Sequence, residues 1–249
     1  MKKIIWIDIG THFAQEYRSI FGSNIYFYFQ IIKRFLVGKL LNRGKYLNYQ
    51  SSKDLIFIRK KIRRRSEDFY TIFVEANPRI FLKKNIYLGA DMALNIALTG
   101  NTKKSVSIQK LFLINGSQES LSNTIFKNKI GVNEDIYTPT LGISASQFFS
   151  EIELFLNQQY GDYDVLLRVN CEGVEDDVIY AAHNSFGKRL KLVCGALKDV
   201  EAIKGINASK ELENFLNKNK LPFALFYSGI STWLEGQAAV LNFIEKNKD

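Results

Sequence analysis

Short apolar, β-prone runs recur along this chain, each closed by a polar or glycine turn, and most are followed by apolar residues at helical spacing. Lys3 to Ile9 closes on Asp8-Ile9-Gly10, Thr71 to Val74 on Glu75-Ala76-Asn77-Pro78, and Lys110 to Ile114 on Asn115-Gly116-Ser117. Asp164 to Val169 closes on Asn170-Cys171-Glu172-Gly173, and Leu190 to Cys194 and Phe223 to Tyr227 complete six candidate strands. Between them the spacing predicts helices at 12–21, 89–98, 146–159 and 178–186, one after Ser209 that carries Leu212, Phe215 and Leu216, and a last one from Ala238 to Ile244. Strands alternating with helices predict an α/β domain, with a mostly parallel sheet covered on both faces. Ligands of such sheets bind beyond the carboxyl ends of the strands, where these polar turns fall.

The 249 residues are within reach of one large α/β domain, and no Pro/Gly/Ser linker divides them. A single domain over 1–249 is therefore expected. The net charge of +9 is unevenly placed: between Lys33 and Arg65 stand twelve Lys and Arg against Asp54 alone, leaving 22 basic and 24 acidic residues elsewhere. A basic, aromatic insertion at about 24–70 is thus set into a near-neutral body. The apolar run Ile4 to Ile7 is too short for the core of a signal peptide, and Ile25 to Ile32 is too short to span a bilayer. Cys171 and Cys194 have no metal-ligand spacing and read as small buried residues, and a cytoplasmic setting is expected. No cluster of His, Cys or carboxylates has metal spacing, so no required metal is expected.

Three segments carry chemistry. An acid followed by glycine at a strand end, as at Asp8 and Gly10, lets the backbone turn tightly and approach a ligand, although an ordinary strand-to-helix turn looks the same. Glu75 ends the second strand, where an acid can accept both hydroxyl hydrogens of a ribose. It lies 65 residues after Gly10 rather than the usual interval of about 20, and removing the insertion restores that interval. Asn170 and Glu172 fall at the end of the Asp164 to Val169 strand. Glu172 also reads as a helix-end acid, and Glu175, Asp176 and Asp177 suit a helix N-terminus. His183 reads as structural or surface, and Trp6 and Trp233 as packing residues.

Together these segments resemble the FkbM-type methyltransferases. That family opens with a strand ending Asp-x-Gly-Ala-Asn/His-x-Gly, here Asp8-Ile9-Gly10-Thr11-His12-Phe13-Ala14. Its second strand ends in an acid and a Pro/Asn turn, here Glu75 to Pro78. Its most specific stretch, Lys-Ile-Asp-x-Glu-Gly-x-Glu, corresponds to Arg168 to Glu175. Ala14 and Asn170 replace a family glycine and aspartate. The resemblance implies a Rossmann-like class I fold that binds S-adenosylmethionine. Asp8, Gly10, Thr11 and His12 would line its methionine end, Glu75 would hold the ribose, and Asn115, Gly116 and Ser117 would border the adenine. It further implies O-methylation of a hydroxyl on a sugar, glycan or natural product, with Glu172 or His12 as general base and Asn170 beside the reacting centre.

The insertion reads as a lid over the cleft that captures an anionic acceptor, with an anionic membrane surface and nucleic acid as further readings. The rival function is a non-catalytic or nucleic-acid-binding Rossmann-like protein that uses this basic segment. A plain dehydrogenase is a weaker rival, because Thr11 to Ala14 supplies no second or third glycine.

Overall fold

Ile4 to Ile9 of strand β1 (Lys3–Ile9) are all buried, as expected for a strand inside a sheet covered on both faces. The computed structural model describes residues 2–40, 49–83, 89–100, 105–118, 122–226, 239–240, 242–243 and 245–246. In it β1 lies between β2 (Phe69–Val74) and β7 (Tyr163–Val169), parallel to both. The six-stranded sheet has the order β3 (Met92–Leu94), β2, β1, β7, β8 (Leu190–Ala196), β9 (Phe223–Phe226), and all its pairs are parallel. The chain starts at the centre, winds to one side, returns across β1 and winds to the other. This is the doubly wound arrangement expected from the sequence, and its switch point lies between β1 and β7.

Alternate side chains of β1 enter different cores, as the period-two pleat requires. Ile5, Ile7 and Ile9 join Val165 and Leu167 beneath α5 (Ala145–Gln159), α6 (Glu175–Phe186) and α8 (Ile206–Lys218). Ile4 and Trp6 point the other way and join Leu166 beneath α1 (Gln15–Phe21) and α3 (Tyr49–Arg63). Ser144 caps α5 by accepting from the Gln147 amide, and Gly187 at φ 51° ends α6 where the sequence placed its stop.

Three expectations are corrected. Residues 89–98 are not a helix, because they contain β3 and the start of β4 (Ala97–Thr99). The expected strand at Lys110 to Ile114 is β5 (Val106–Phe112), and it lies outside the main sheet. It runs antiparallel to β6 (Tyr137–Ser144), which pairs parallel with β4 in a separate three-stranded sheet. The insertion, formed by α2 (Asn24–Leu40) and α3, is rooted away from the cleft. The Phe21 ring at the end of α1 lies 5.3 Å from that of Phe69, and Ile58 and Ile62 pack with Ile4 and Phe69. Phe69 pairs with Ile4 at the amino edge of the sheet, so the hairpin base is at the edge opposite Gly10 and Glu75. The last expected helix is helical at 239–240, 242–243 and 245–246, and its remainder and Tyr227 lie outside the described residues.

Candidate functional site

At the carboxyl edge the ends of β2, β1 and β7 meet around Gly10. Its amide donates to the Val74 carbonyl at 2.9 Å, and the Asn170 amide donates to Ile9 at 2.9 Å. Gly10 has φ 71°, and a Cβ there would lie 2.0 Å from the Asn170 carbonyl oxygen. Only glycine lets three strand ends close this tightly. The turn continues through left-handed His12 (φ 51°) and Ala14 (φ 48°) before α1 begins.

Asp8 is fully buried. Its Oδ1 accepts from Arg168 Nη1 at 2.8 Å, and the same nitrogen donates to the Gly10 carbonyl at 2.8 Å. A buried carboxylate with a guanidinium partner stabilises the turn between adjacent strands, so Asp8 organises the rim rather than lining a cavity. Thr11 is likewise buried, its Oγ1 donating to the Asp8 carbonyl at 2.7 Å.

Glu75 reaches across from β2. Its Oε2 accepts from the His12 amide at 2.7 Å and its Oε1 from the Asn77 amide at 2.8 Å. Burial pushes its carboxyl up to about 7, against the pull of those two amides. Each oxygen retains a further lone pair, so the group can still accept from hydroxyls. Burial lowers the His12 imidazole to about 3, aided by the charges of Arg168 and Lys129. His12 is therefore neutral near pH 7 and a poor base there.

Beyond β7, Glu172 sits at φ 65° and is buried. Its Oε2 is hydrogen-bonded by Lys129, which also contacts Asp199 Oδ1 at 3.0 Å. Burial raises the Glu172 carboxyl to about 7, with Asp199 pushing the same way and Lys129 opposing. A buried carboxyl with a pKa near neutrality suits general acid–base work. Glu175 has a different role from a solvated helix-end acid. It is fully buried, accepts from the Cys171 and Glu172 amides at 2.9 and 2.7 Å through Oε1, and accepts from Gly173 at 2.8 Å through Oε2. It thereby fixes the loop that presents Glu172. Burial pushes the Cys171 thiol up, so it stays protonated.

Gly10, His12, Glu75, Asn170 and Glu172 line one cavity of about 40 Å³, together with Asn123, Thr124 and Ile125. Thr124 Oγ1 donates to the Glu172 carbonyl at 2.9 Å. Asn115, Gly116 and Ser117 do not reach the cavity. They are exposed beyond β5, in the segment of the small sheet. Lys129 and Asp199 had no sequence signal: neither falls in a recognisable motif, and each is far from Glu172 in the chain. A larger hollow of about 850 Å³ lies at the beginnings of β8 and β9, lined by Leu190, Lys191 and Phe223. It shares no lining residue with this constellation.

The arrangement offers hydrogen-bond acceptors for a diol at Glu75 and a carboxyl titrating near neutrality at Glu172. Compared with family models, curated proteins and solved structures, the chain finds no match.

Proposed function

We propose that this chain is an S-adenosylmethionine-dependent methyltransferase that acts on a hydroxyl of a sugar, glycan or natural product. One observation carries the reading: Gly10, Glu75, Asn170 and Glu172, from three adjacent parallel strand ends, face one cavity at the switch point of the sheet. The donor set suits the cofactor, with Glu75 able to accept from ribose hydroxyls and Gly10 and His12 at the methionine end. The cofactor would supply an activated methyl group on a sulfonium. Glu172, freed from Lys129, would accept the proton of the acceptor hydroxyl, and Asn170 would orient that hydroxyl. Ligand pockets usually measure about 300–1,000 Å³, so binding requires the segment with Asn123 to Ile125 to withdraw from the cavity. The hold of Lys129 on Glu172 favours a second, non-catalytic reading, in which the cluster is structural.

Calorimetry with S-adenosylmethionine, NAD and a short RNA separates the readings. We expect binding of S-adenosylmethionine alone, weakened about tenfold or more by Glu75→Ala through the lost charge-assisted hydrogen bonds. If folded wild-type protein takes up no S-adenosylmethionine, the proposal fails. With an acceptor in hand, Glu172→Gln should lower turnover by roughly 10²–10⁴ while nearly preserving cofactor affinity. Unchanged turnover would leave the glutamate a loop-forming role only.

A further inference from the structure

Helix α2 carries apolar side chains on its outer side as well as its inner one. On its inner side Phe27 and Ile31 are buried with Leu55 of α3. On its outer side Ile25 (84% exposed), Tyr28, Phe29 (60% exposed), Ile32 and Leu36 all face solvent. At 3.6 residues per turn these five fall within an arc of roughly 100°. Exposed Ile56 of α3 shares a shallow hollow with Tyr28 and extends this apolar surface. Isolated exposed apolar residues are ordinary, but a stripe along a whole helix marks an interaction surface.

Cations stand beside this stripe. The seven residues Arg59 to Arg65 hold six of them, and the structure divides them by role. Arg59 is buried and ties the hairpin to α1, donating to the Ser19 and Gly22 carbonyls at 2.9 and 2.7 Å. Lys61 pairs with Glu245, and Arg65 pairs with Asp68 at 2.6 Å. Arg63 is exposed but donates to the Gly22 carbonyl and Asn24 Oδ1, both at 3.2 Å, whereas exposed Lys60 and Arg64 flank a shallow hollow with Phe27, Tyr28 and Ile56. The whole segment from Lys33 to Arg65 contains one acid, Asp54.

We infer that the α2–α3 hairpin is an attachment surface for an anionic phospholipid bilayer: the outer stripe of α2 enters the headgroup–acyl boundary while Lys60 and Arg64 meet lipid phosphates. A helix lying in the interface combines an apolar face with a cationic one in this way. Nucleic acid is disfavoured by the aliphatic members of the stripe, because Ile25, Ile32 and Leu36 offer nothing to a phosphate and no ring for a base to stack on. A second copy of this chain would bring the same cations against the same cations. Among the described residues no helix is long and apolar enough to cross a membrane, and the proposed attachment lies in the plane of the interface. The base of the hairpin lies at the amino edge of the sheet, opposite the cleft at the carboxyl edge. The inference does not rest on the proposed methyltransferase activity.

Co-sedimentation of the full chain with phosphatidylcholine vesicles, with and without 30% phosphatidylglycerol, tests it. We expect binding to the anionic vesicles that is at least about tenfold stronger than to the neutral ones and falls steeply with salt. Lys60→Ser with Arg64→Ser should weaken it roughly 10- to 30-fold, at about fivefold per charge. Ile25→Ser, Phe29→Ser and Ile32→Ser together should abolish the part that survives high salt. All these positions are exposed, so thermal melts of the variants should overlay that of wild type. The inference is overturned by absence of binding to anionic vesicles. It is equally overturned by full vesicle binding of the apolar triple variant, by a dimer that this triple variant dissolves, or by a short RNA that binds more tightly than the vesicles and strips the protein from them.

Discussion

The two edges of the central sheet treat charge in opposite ways. At the carboxyl edge Asp8, Glu75, Glu172, Glu175 and Arg168 are all buried, each held by a named partner. Near the amino edge Lys60 and Arg64 stand in solvent beside exposed Tyr28 and Ile56. Buried ionic clusters fix geometry, because breaking one leaves an uncompensated charge in a low-dielectric setting. Exposed cations beside apolar side chains do little for the fold and leave charge available to a partner. One edge is suited to a small molecule and demands precision of a few tenths of an ångström; the other is suited to a broad anionic surface.

The contrast can be broken most severely at Gly10. Gly10→Ala forces a Cβ to within 2.0 Å of a backbone oxygen and should cost on the order of 4 kcal/mol or leave no folded protein. Gly116→Ala, also at positive φ (70°) but with no atom within 4 Å of the added carbon, should cost only about 1 kcal/mol. Denaturant unfolding of the pair separates close packing from backbone strain. Next comes Lys129→Met, which strands Glu172 and Asp199 without their cation and should cost about 3–5 kcal/mol near pH 8. Protonation of Glu172, whose carboxyl burial already raises, relieves its stranded charge, so the deficit should shrink at pH 5, as unfolding at the two pH values would reveal.

Glu75→Gln sharpens the comparison through pH. The wild-type carboxyl titrates near 7 when folded and near 4.5 when unfolded, so between those values the native state binds more protons. Its contribution to stability therefore falls as pH rises through that window. The variant lacks this titration. Its melting temperature relative to wild type should become less unfavourable from pH 5 to pH 8, and a constant difference would remove Glu75 from the pH dependence. Ala14→Gly relieves a left-handed alanine at φ 48° and should stabilise by up to about 1 kcal/mol in the same unfolding assay. The smallest effect belongs to the other edge: Lys60→Ser should change stability by less than about 0.5 kcal/mol.

The main sheet was legible because each of its strands except β3 is an apolar run stopped by a polar turn, and those stops assembled Gly10, Glu75, Asn170 and Glu172 without any contact information. Residues 89–98 misled because Ala-Asp-Met-Ala-Leu-Asn-Ile-Ala-Leu is rich in helix formers, whereas pairing with Ile72 to Val74 and with Gly142 to Ser144 decides their conformation. The separate sheet was invisible for a related reason: β5 looks like any other strand, and nothing local says which strand it will pair with. Lys129 and Asp199 were missed because an ion pair over 40 or more residues has no periodicity. Glu175 was read as one helix-end acid among three, yet it alone turns back to three amides. The insertion was recognised by its charge but placed on the wrong edge, because its position depends on where α1 ends rather than on where the turn begins.

The central place of β1 also sets an order on folding. Its neighbour on one side, β2, follows the whole hairpin, and the Asp8–Arg168 pair on the other spans 160 residues. During synthesis the first strand must therefore wait, with its β7-facing backbone unmatched, until two-thirds of the chain has emerged. Closing contacts over such separations is slow, whereas α2 and α3 are neighbours in sequence and can pair as soon as both exist. The hairpin should thus be among the earliest structured elements and the carboxyl-edge cluster among the latest. Chains that end before Tyr163 would keep β1, β2 and β3 but lack β7, β8 and β9, leaving one edge of the apolar β1 strand exposed to aggregation.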